Sequence, residues 1–534
     1  MEERGAANGN PARRHQLQST RGELVPGGVR ALGNLRLEIV LVLALGLLAL
    51  TPGISKPPLV DWDEATYAQV AHEVVASGHY LDLTWNGQPY LRKPPLLFWE
   101  IAASFRTFGE SEFAARLPSV LMGLGTLMLI YLCGTATVGR LAGTVAAIVP
   151  LQFYFFISRG GRDCATDAPM LFFSTLAIYA LVRAREKRRW VAVCGGAIGL
   201  AILSKGLAGI IPLIVVSMAV ALIPGFEMIG SPGLRVVYAV ATVTAAPWYI
   251  YQMLGNPDFI AIFVGHETLA RLTSHLEDDT RPAGYTIRVF LSEIRHLWPL
   301  ALPLAALVGG RLRAGGLRDA IARMSATTWL WLLWLAVALG AACAVQTKLP
   351  WYILPSLVPV ALLAGTLVAR ALQSQGSVRP FATGFGILAL TIVVAHAPDR
   401  WRAISHLHHE QRLRSMPSFM MGLAARRTVA LKGPGQLYFA GVPLPTLVYY
   451  AAMRCDFVSD DQPTPISDVI GDPQPPPVNY HDLVMVNDSG ESTVVANLGT
   501  EWRVSGPEAP RDQRQLRRLE LEAPTGISVG TPPP

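Results

Sequence analysis

The sequence predicts a mainly α-helical, polytopic membrane protein of about eleven transmembrane helices, with a small extracytoplasmic α/β domain at its C-terminal end. Three observations lead there. Only 16% of the 534 residues are charged and 51% are hydrophobic, with a mean hydropathy of +0.35, whereas a soluble domain carries about 25% charged residues. Apolar runs near spanning length recur from Leu37 to His396. Basic residues gather in short loops between those runs, the signature of cytoplasmic loops.

Residues 1–36 are polar, basic and rich in Gly, Pro and Arg, and read as a disordered cytoplasmic tail. The membrane domain covers 37–396. Its spans fall near Leu37–Pro52, Leu117–Val138, Leu141–Ile157, Ala168–Val182, Val191–Leu203, Leu207–Pro224, Val236–Leu254, Leu297–Val308, Thr327–Val345, Leu354–Ala369 and Phe381–Ala395. The first run lacks a small-residue cleavage site and is followed by many more, so it reads as a retained helix. With the N-terminus cytoplasmic, Arg140, the Arg183–Arg189 cluster, Arg235, the Arg311–Arg323 loop, Arg370 and Arg379 all fall inside. An odd number of spans puts residues 397–534 outside. That segment is polar, with a strand-like run at Leu483–Val486 and a linker or surface loop at Asp472–Pro477. The topology is that of a multi-pass membrane protein.

The net charge of +7 and the pI near 9.2 belong to these cytoplasmic loops. They form no stripe for nucleic acid, which is excluded as a partner. Cys133, Cys164, Cys194, Cys343 and Cys455 show no spacing for a metal or a disulfide framework. No GxGxxG, P-loop or soluble nucleotide-binding pattern is present.

The first outward segment, Gly53 to Arg116, is too long and too particular for a connector. Asp61 followed by Glu64 is a capping-box pattern. Apolar residues then recur at Tyr67, Val70, Ala71, Val74 and Val75, the spacing of an amphipathic helix lying on the membrane surface. Capping needs one acid, so Asp63 is available to accept a proton as general base. Further on, Asn86-Gly87 marks a turn. Arg92 and Lys93 follow, just before Pro94-Pro95 and an aromatic, apolar entry to the membrane. Two readings stand for these cations: snorkelling at the interface, or a clamp on the phosphate of a membrane lipid.

These loops carry a resemblance. DEATYA at Asp63–Ala68 and GQPYLRKPPLLFW at Gly87–Trp99 are similar to the first periplasmic loop of the aminoarabinose transferase and protein O-mannosyltransferase group. These are glycosyltransferases of the GT-C type, which use polyprenyl-phosphate sugars. The likeness continues through Arg116–Ser119, Thr166–Phe173, Leu203–Gly206, Pro247–Tyr249, Phe263–Glu267 and Lys348–Pro355, in order along most of 37–396. It implies that Asp63 is the catalytic base with Glu64 beside it, that Asp167 is the second acid, and that Lys93 contacts the donor phosphate. It also implies that His266 lies near the active site, with Tyr90 in the same motif as Lys93. Two departures weigh against aminoarabinose as the sugar. Thr66 stands where that branch has an Arg, and Arg92 stands where it has an acid before the Lys. The second departure leaves the requirement for a divalent metal ion open.

The residues support the same chemistry. Arg92, Lys93, Arg159, Arg162, Lys205 and Lys348 offer positive charge to a phosphate leaving group as the glycosidic bond breaks. Each has an ordinary alternative: Asp167 as a helix N-terminal acid, Lys205 as the mark of a tight outer turn, His266 as a solvated interfacial residue. The expected reaction is one-step inverting transfer from a polyprenyl-phosphate sugar to an extracytoplasmic acceptor, such as lipid A, a protein or a glycan. A flippase for the lipid-linked sugar is the rival. It would place its charges near the membrane midplane.

Overall fold

The computed structural model describes residues 35–55, 58–60, 62–227, 229–275, 281–305, 324–373, 387, 402, 435–440, 445–451, 455–458, 482–487 and 492–497. The chain divides into two compact units, one ending at Leu41 and one running from Val42 to Pro534. The expected tail lies outside the described residues except for Leu35 and Arg36, which already belong to the first helix. The Arg311–Arg323 loop, the Asp472–Pro477 linker and the span at Phe381–Ala395 lie outside them, Ile387 apart.

In chain order the longer described α-helices are α1 (Leu35–Leu50), α2 (Asp63–Ser77), α3 (Leu96–Phe108), α4 (Glu112–Thr137), α5 (Arg140–Ile148), α6 (Asp167–Ala184), α7 (Trp190–Lys205), α8 (Ile211–Leu222), α9 (Gly230–Gly255), α10 (Tyr285–Ile294), α11 (Ala326–Ala344), α12 (Leu354–Leu372) and α13 (Pro445–Ala451). The protein is mainly helical and crosses the membrane many times. Among the described residues, five helical segments are long and apolar enough to span: Glu112–Thr137, Asp167–Ala184, Trp190–Leu222, Ala326–Ala344 and Pro350–Leu372.

One span differs from expectation for a local reason. The run at Leu141–Ile157 is not one helix. Pro150 falls in a tight turn at Val149–Gln152, and only a short helical turn, Tyr154–Ile157, follows. The segment Trp190–Leu222 doubles back. Gly206 takes φ +52°, and a Cβ on Gly209 would meet the Ala201 carbonyl oxygen at 2.2 Å. Only a reversed chain brings residues eight apart that close, so the stretch Gly206–Ile210 folds back on the end of α7, with Lys205 at the turn. Elsewhere α7 lies against α9 because Gly195 and Gly199 admit the backbone at Val237 and the side chain of Thr244, at 2.7 and 2.5 Å from their missing Cβ atoms. Small residues four apart permit this approach between membrane helices.

The amphipathic stripe of α2 faces protein, not lipid as expected. Tyr67, Val70, Ala71 and Val74 are buried with Leu97, Phe98 and Ile101 of α3, and the Tyr67 and Phe98 rings meet edge to face at 5.6 Å. The α2–α3 connection folds as a hairpin of β1 (Thr84–Trp85) and β2 (Gln88–Pro89). Asn86 at φ 54° and Gly87 at φ 73° make its two-residue turn. The Glu73 carboxylate accepts both turn amides, at 2.6 and 3.2 Å, and ties the hairpin to α2.

Late in the chain, β3 (Gly435–Ala440), α13 and β4 (Cys455–Val458) form a parallel β-α-β unit. Strands β5 (Asp482–Asn487) and β6 (Ser492–Asn497) add antiparallel beside β3, in the order β4-β3-β5-β6. The run expected at Leu483–Val486 lies within β5.

Candidate active site

Three helix ends and one loop arginine build the site. Asp63 is the first residue of α2 and Asp167 the first of α6, where the helix dipole favours a carboxylate. Lys205 is the last residue of α7, where the dipole favours a cation and the left-handed Gly206 ends the helix. Lys205 Nζ donates to Asp167 Oδ1 at 2.5 Å. Arg159, in the loop before α6, donates to Asp63 Oδ2, and its Nη1 lies 3.9 Å from Asp167 Oδ2. The guanidinium stacks over the Trp351 ring at 4.0 Å, and Lys205 lies 6.0 Å from the Tyr352 ring.

Asp63 thus sits at the end of a chain of alternating charge, with a third of its side chain open. Tyr67 donates to its Oδ1 at 3.1 Å. Burial pushes its pKa up, but Arg159, with Lys93 and Lys205 behind it, outweighs burial and holds the carboxyl at about 2. Asp167 is buried.

A second group of charges adjoins the first. Lys93 Nζ donates to Glu267 Oε2 at 2.6 Å, and Arg271 Nε reaches the same oxygen at 3.3 Å. Glu267 lies on a π-helical stretch, Ile260–Ala270, a rare geometry frequent at functional sites. Burial raises its carboxyl, and Lys93 and Arg271 bring it below the usual range. Tyr90 lies between the groups, within electrostatic reach of Asp63, Glu267, Arg92 and Arg271; its phenol is pushed up, first by burial. The cations Lys93, Arg159, Lys205 and Arg271 face the carboxylates Asp63, Asp167 and Glu267, with Asp163 also within electrostatic reach of Arg159 and the exposed Arg92 near Tyr90.

The remaining expected residues are placed differently. Glu64 is not an open acid. Its Oε1 accepts from Arg116 Nε at 2.8 Å and from the Cys164 amide at 2.9 Å, and its Oε2 from Arg116 Nη2 at 2.6 Å and the Val60 amide at 3.0 Å. Burial opposes its charge, and Arg116 overcomes that and keeps it ionised. Asp61 lies outside the described residues; directly before α2 stands Trp62, exposed and at φ 72°. Arg162 donates to the Pro52 carbonyl at 2.7 Å. Lys348 caps the C-terminal end of α11, donating to the carbonyls of Cys343 (2.6 Å) and Val345. From that loop it is Trp351 and Tyr352 that reach the charged cluster. His266 is half exposed, its Nδ1 3.5 Å from Glu267 Oε1.

These side chains do not fit a metal ion. Among the described residues no group of three His, Cys, Asp or Glu converges on one. Among the described residues no third such side chain joins His266 and Glu267, and Lys93 and Arg271 already occupy one Glu267 oxygen.

Residues 92–251 match the family of dolichyl-phosphate-mannose-protein mannosyltransferases. The chain is 29% identical over 359 residues to the undecaprenyl phosphate-alpha-4-amino-4-deoxy-L-arabinose arabinosyl transferase of Pseudomonas savastanoi pv. phaseolicola, covering 63% of each protein. It is 28% identical over 372 residues to the same-named protein of Pseudomonas aeruginosa strain LESB58, covering 67% of this chain and 64% of that one. The match thus spans less than two thirds of these relatives' length. The fold is that of ArnT from Cupriavidus metallidurans bound to undecaprenyl phosphate, with a TM-score of 0.62 at 20% identity, covering 81% of this chain and 87% of that one. The resemblance read from the loops is borne out.

Proposed function

We propose that this chain, a relative of the polyprenyl-phosphate-sugar glycosyltransferases, is itself such an enzyme, moving a sugar from a polyprenyl-phosphate donor to an extracytoplasmic acceptor with inversion. The reading is carried by the Asp63–Arg159–Asp167–Lys205 chain of charges, with Lys93 alongside. An ionised carboxylate, partly open, stands beside the cations Arg159, Lys205 and Lys93. That is the pairing needed to take a proton from a nucleophile while a phosphate departs.

In the proposed step, Asp63 removes the proton of the acceptor hydroxyl as its oxygen attacks the anomeric carbon. The bond from that carbon to the phosphate oxygen breaks on the opposite face, and the electron pair leaves with the polyprenyl phosphate. Arg159, Lys205 and Lys93 stabilise the charge growing there, with Arg92 at the rim. Asp167 holds Lys205 and Arg159 in place. Glu64 acts as a positioning residue, tying α2 to the Arg159 loop through Cys164. Tyr90 and His266 border the site.

The proposed topology keeps about eleven spans, an N-terminal tail at 1–36 on the cytoplasmic side and an extracytoplasmic α/β domain at 397–534, in the bacterial inner membrane. The sugar and the acceptor are open within the class, with lipid A, protein and glycan acceptors all compatible. A flippase would need its charges at the midplane. Here Asp63, Asp167 and Lys205 lie at helix ends.

Purified full-length protein incubated with a panel of radiolabelled polyprenyl-phosphate sugars and an envelope extract tests the reading. Release of label from one carrier supports it. Carrier movement across proteoliposomes without release would replace it with the flippase.

A further inference from the structure

The strained entry to α2 is held from a distant part of the chain. Non-glycine φ values in the left-handed region cost about 1–3 kcal/mol and persist where the surroundings over-determine them, and Trp62 is such a residue, directly before Asp63. Arg116 fixes the loop from one side, donating to the carbonyls of Ile54 at 2.9 Å and Pro58 at 3.0 Å. The other side is fixed by α13. The fully buried Leu59 donates its amide to the Tyr450 hydroxyl at 2.9 Å, and its carbonyl accepts from Thr446 Oγ1 at 3.3 Å. The same Tyr450 hydroxyl donates to Glu112 Oε1 at 2.8 Å, at the start of α4 and one turn before Arg116.

Both backbone groups of Leu59 are thus satisfied by one short helix 387 or more residues away. Four residues beyond Leu59 stands Asp63. We infer that Tyr450 and Thr446 are positioning residues for Asp63, and that α13 is a clamp through which the C-terminal segment sets the aim of the base. The inference rests on the glycosyl-transfer reading for its kinetic consequence, but the clamp itself is physical and can be read without turnover.

The test uses the full chain in detergent, as wild type, Tyr450→Phe, Thr446→Val and Thr446→Ser. Tyr450→Phe keeps the ring and loses both hydrogen bonds. Amides of residues 59–66 should then exchange with deuterium about tenfold faster, while those of α6 and α7 keep their rates. With a consumed donor, kcat should fall about tenfold with the donor KM unchanged. Thr446→Val should show a smaller effect in the same direction, and Thr446→Ser should restore it. Unchanged exchange at 59–66 overturns the clamp. Faster exchange with kcat intact overturns its role in positioning Asp63. A wild type that consumes no donor overturns the functional reading instead, and the exchange arm still decides the clamp.

Discussion

Glu64 and Arg116 are joined by two hydrogen bonds, at 2.8 and 2.6 Å, across 52 residues of sequence, and both side chains are buried. The pair is the junction of the site. Through it α2, the Arg159 loop and α4 are fixed to one another, because Glu64 also accepts the Cys164 amide and Arg116 also reaches the Ile54 and Pro58 carbonyls. Removing one partner of such a pair leaves an uncompensated buried charge, at about 3–5 kcal/mol. Arg116→Met is therefore expected to lower the thermal midpoint of the detergent-solubilised protein by several degrees. Adding Glu64→Gln should recover part of the loss, since the second change removes the orphaned charge. Scanning fluorimetry of the single and double variants checks both.

The pH dependence follows from Asp63. Its carboxyl, held at about 2, is ionised in the free enzyme at all ordinary pH values. As the base, it fails only as pH falls through that value, so kcat/KM should stay flat down to the acid limit of folding. In the proposed complex the donor phosphate would face the groups that face Asp63: Arg159, Lys93 and Lys205, with Tyr67, Tyr90 and Asp167 around them. By drawing those cations toward itself, the phosphate relaxes their hold, and the Asp63 pKa rises toward the ordinary carboxylate range. The acid limb of kcat, which reports the bound complex, should therefore lie at higher pH than that of kcat/KM. Coincident limbs would show that the donor does not compete for these cations. Linkage has the same sign: the stability from the Asp63 pairing is present above pH 3.8 and is lost as pH falls toward about 2.

Arg159 serves both carboxylates and stacks on Trp351, so its charge and its plane both count. Arg159→Gln removes the cation and is expected to lower kcat about a hundredfold or more. Arg159→Lys keeps the charge without the fork or the stack, and should retain part of the rate. Steady-state kinetics with one donor separates the two. Equal loss in both variants would assign the effect to geometry alone.

The turn that places Lys205 is equally specific. Gly209→Ala sets a Cβ 2.2 Å from the Ala201 carbonyl, a backbone atom that cannot swing aside. The α7–α8 turn must open, at about 1–3 kcal/mol, and Lys205 must move from Asp167. A lower thermal midpoint together with weakened donor binding, measured by photocrosslinking to a polyprenyl phosphate, is the expected result.

The apolar runs made the membrane class legible, because hydrocarbon demands them whatever the tertiary contacts. The motif residues Asp63, Lys93 and Asp167 could be read for a similar reason: helix ends and short loops announce themselves by proline, glycine and adjacent charge. What each charge touches was not legible. Glu64 and Asp63 are neighbours in sequence, yet one is locked by Arg116 and the other faces Arg159. That division depends on pairings 52 and 96 residues away. Lys348 offered the same signal as Lys93 but caps its own helix. Glu267 closes the Phe263–Glu267 motif and Arg271 follows one turn later, but nothing in the sequence marks either as a partner of Lys93. The stripe on α2 has the same spacing whether it meets lipid or Phe98, and periodicity alone does not distinguish them.

The central claim is that Asp63 is the base of a glycosyl transfer. The direct measurement compares wild type and Asp63→Asn in single-donor turnover, with donor binding measured alongside. Turnover reduced at least a hundredfold in Asp63→Asn, with donor affinity kept within a few-fold, is the expected result. Equal turnover by the two proteins would contradict the claim and remove Asp63 from the chemistry.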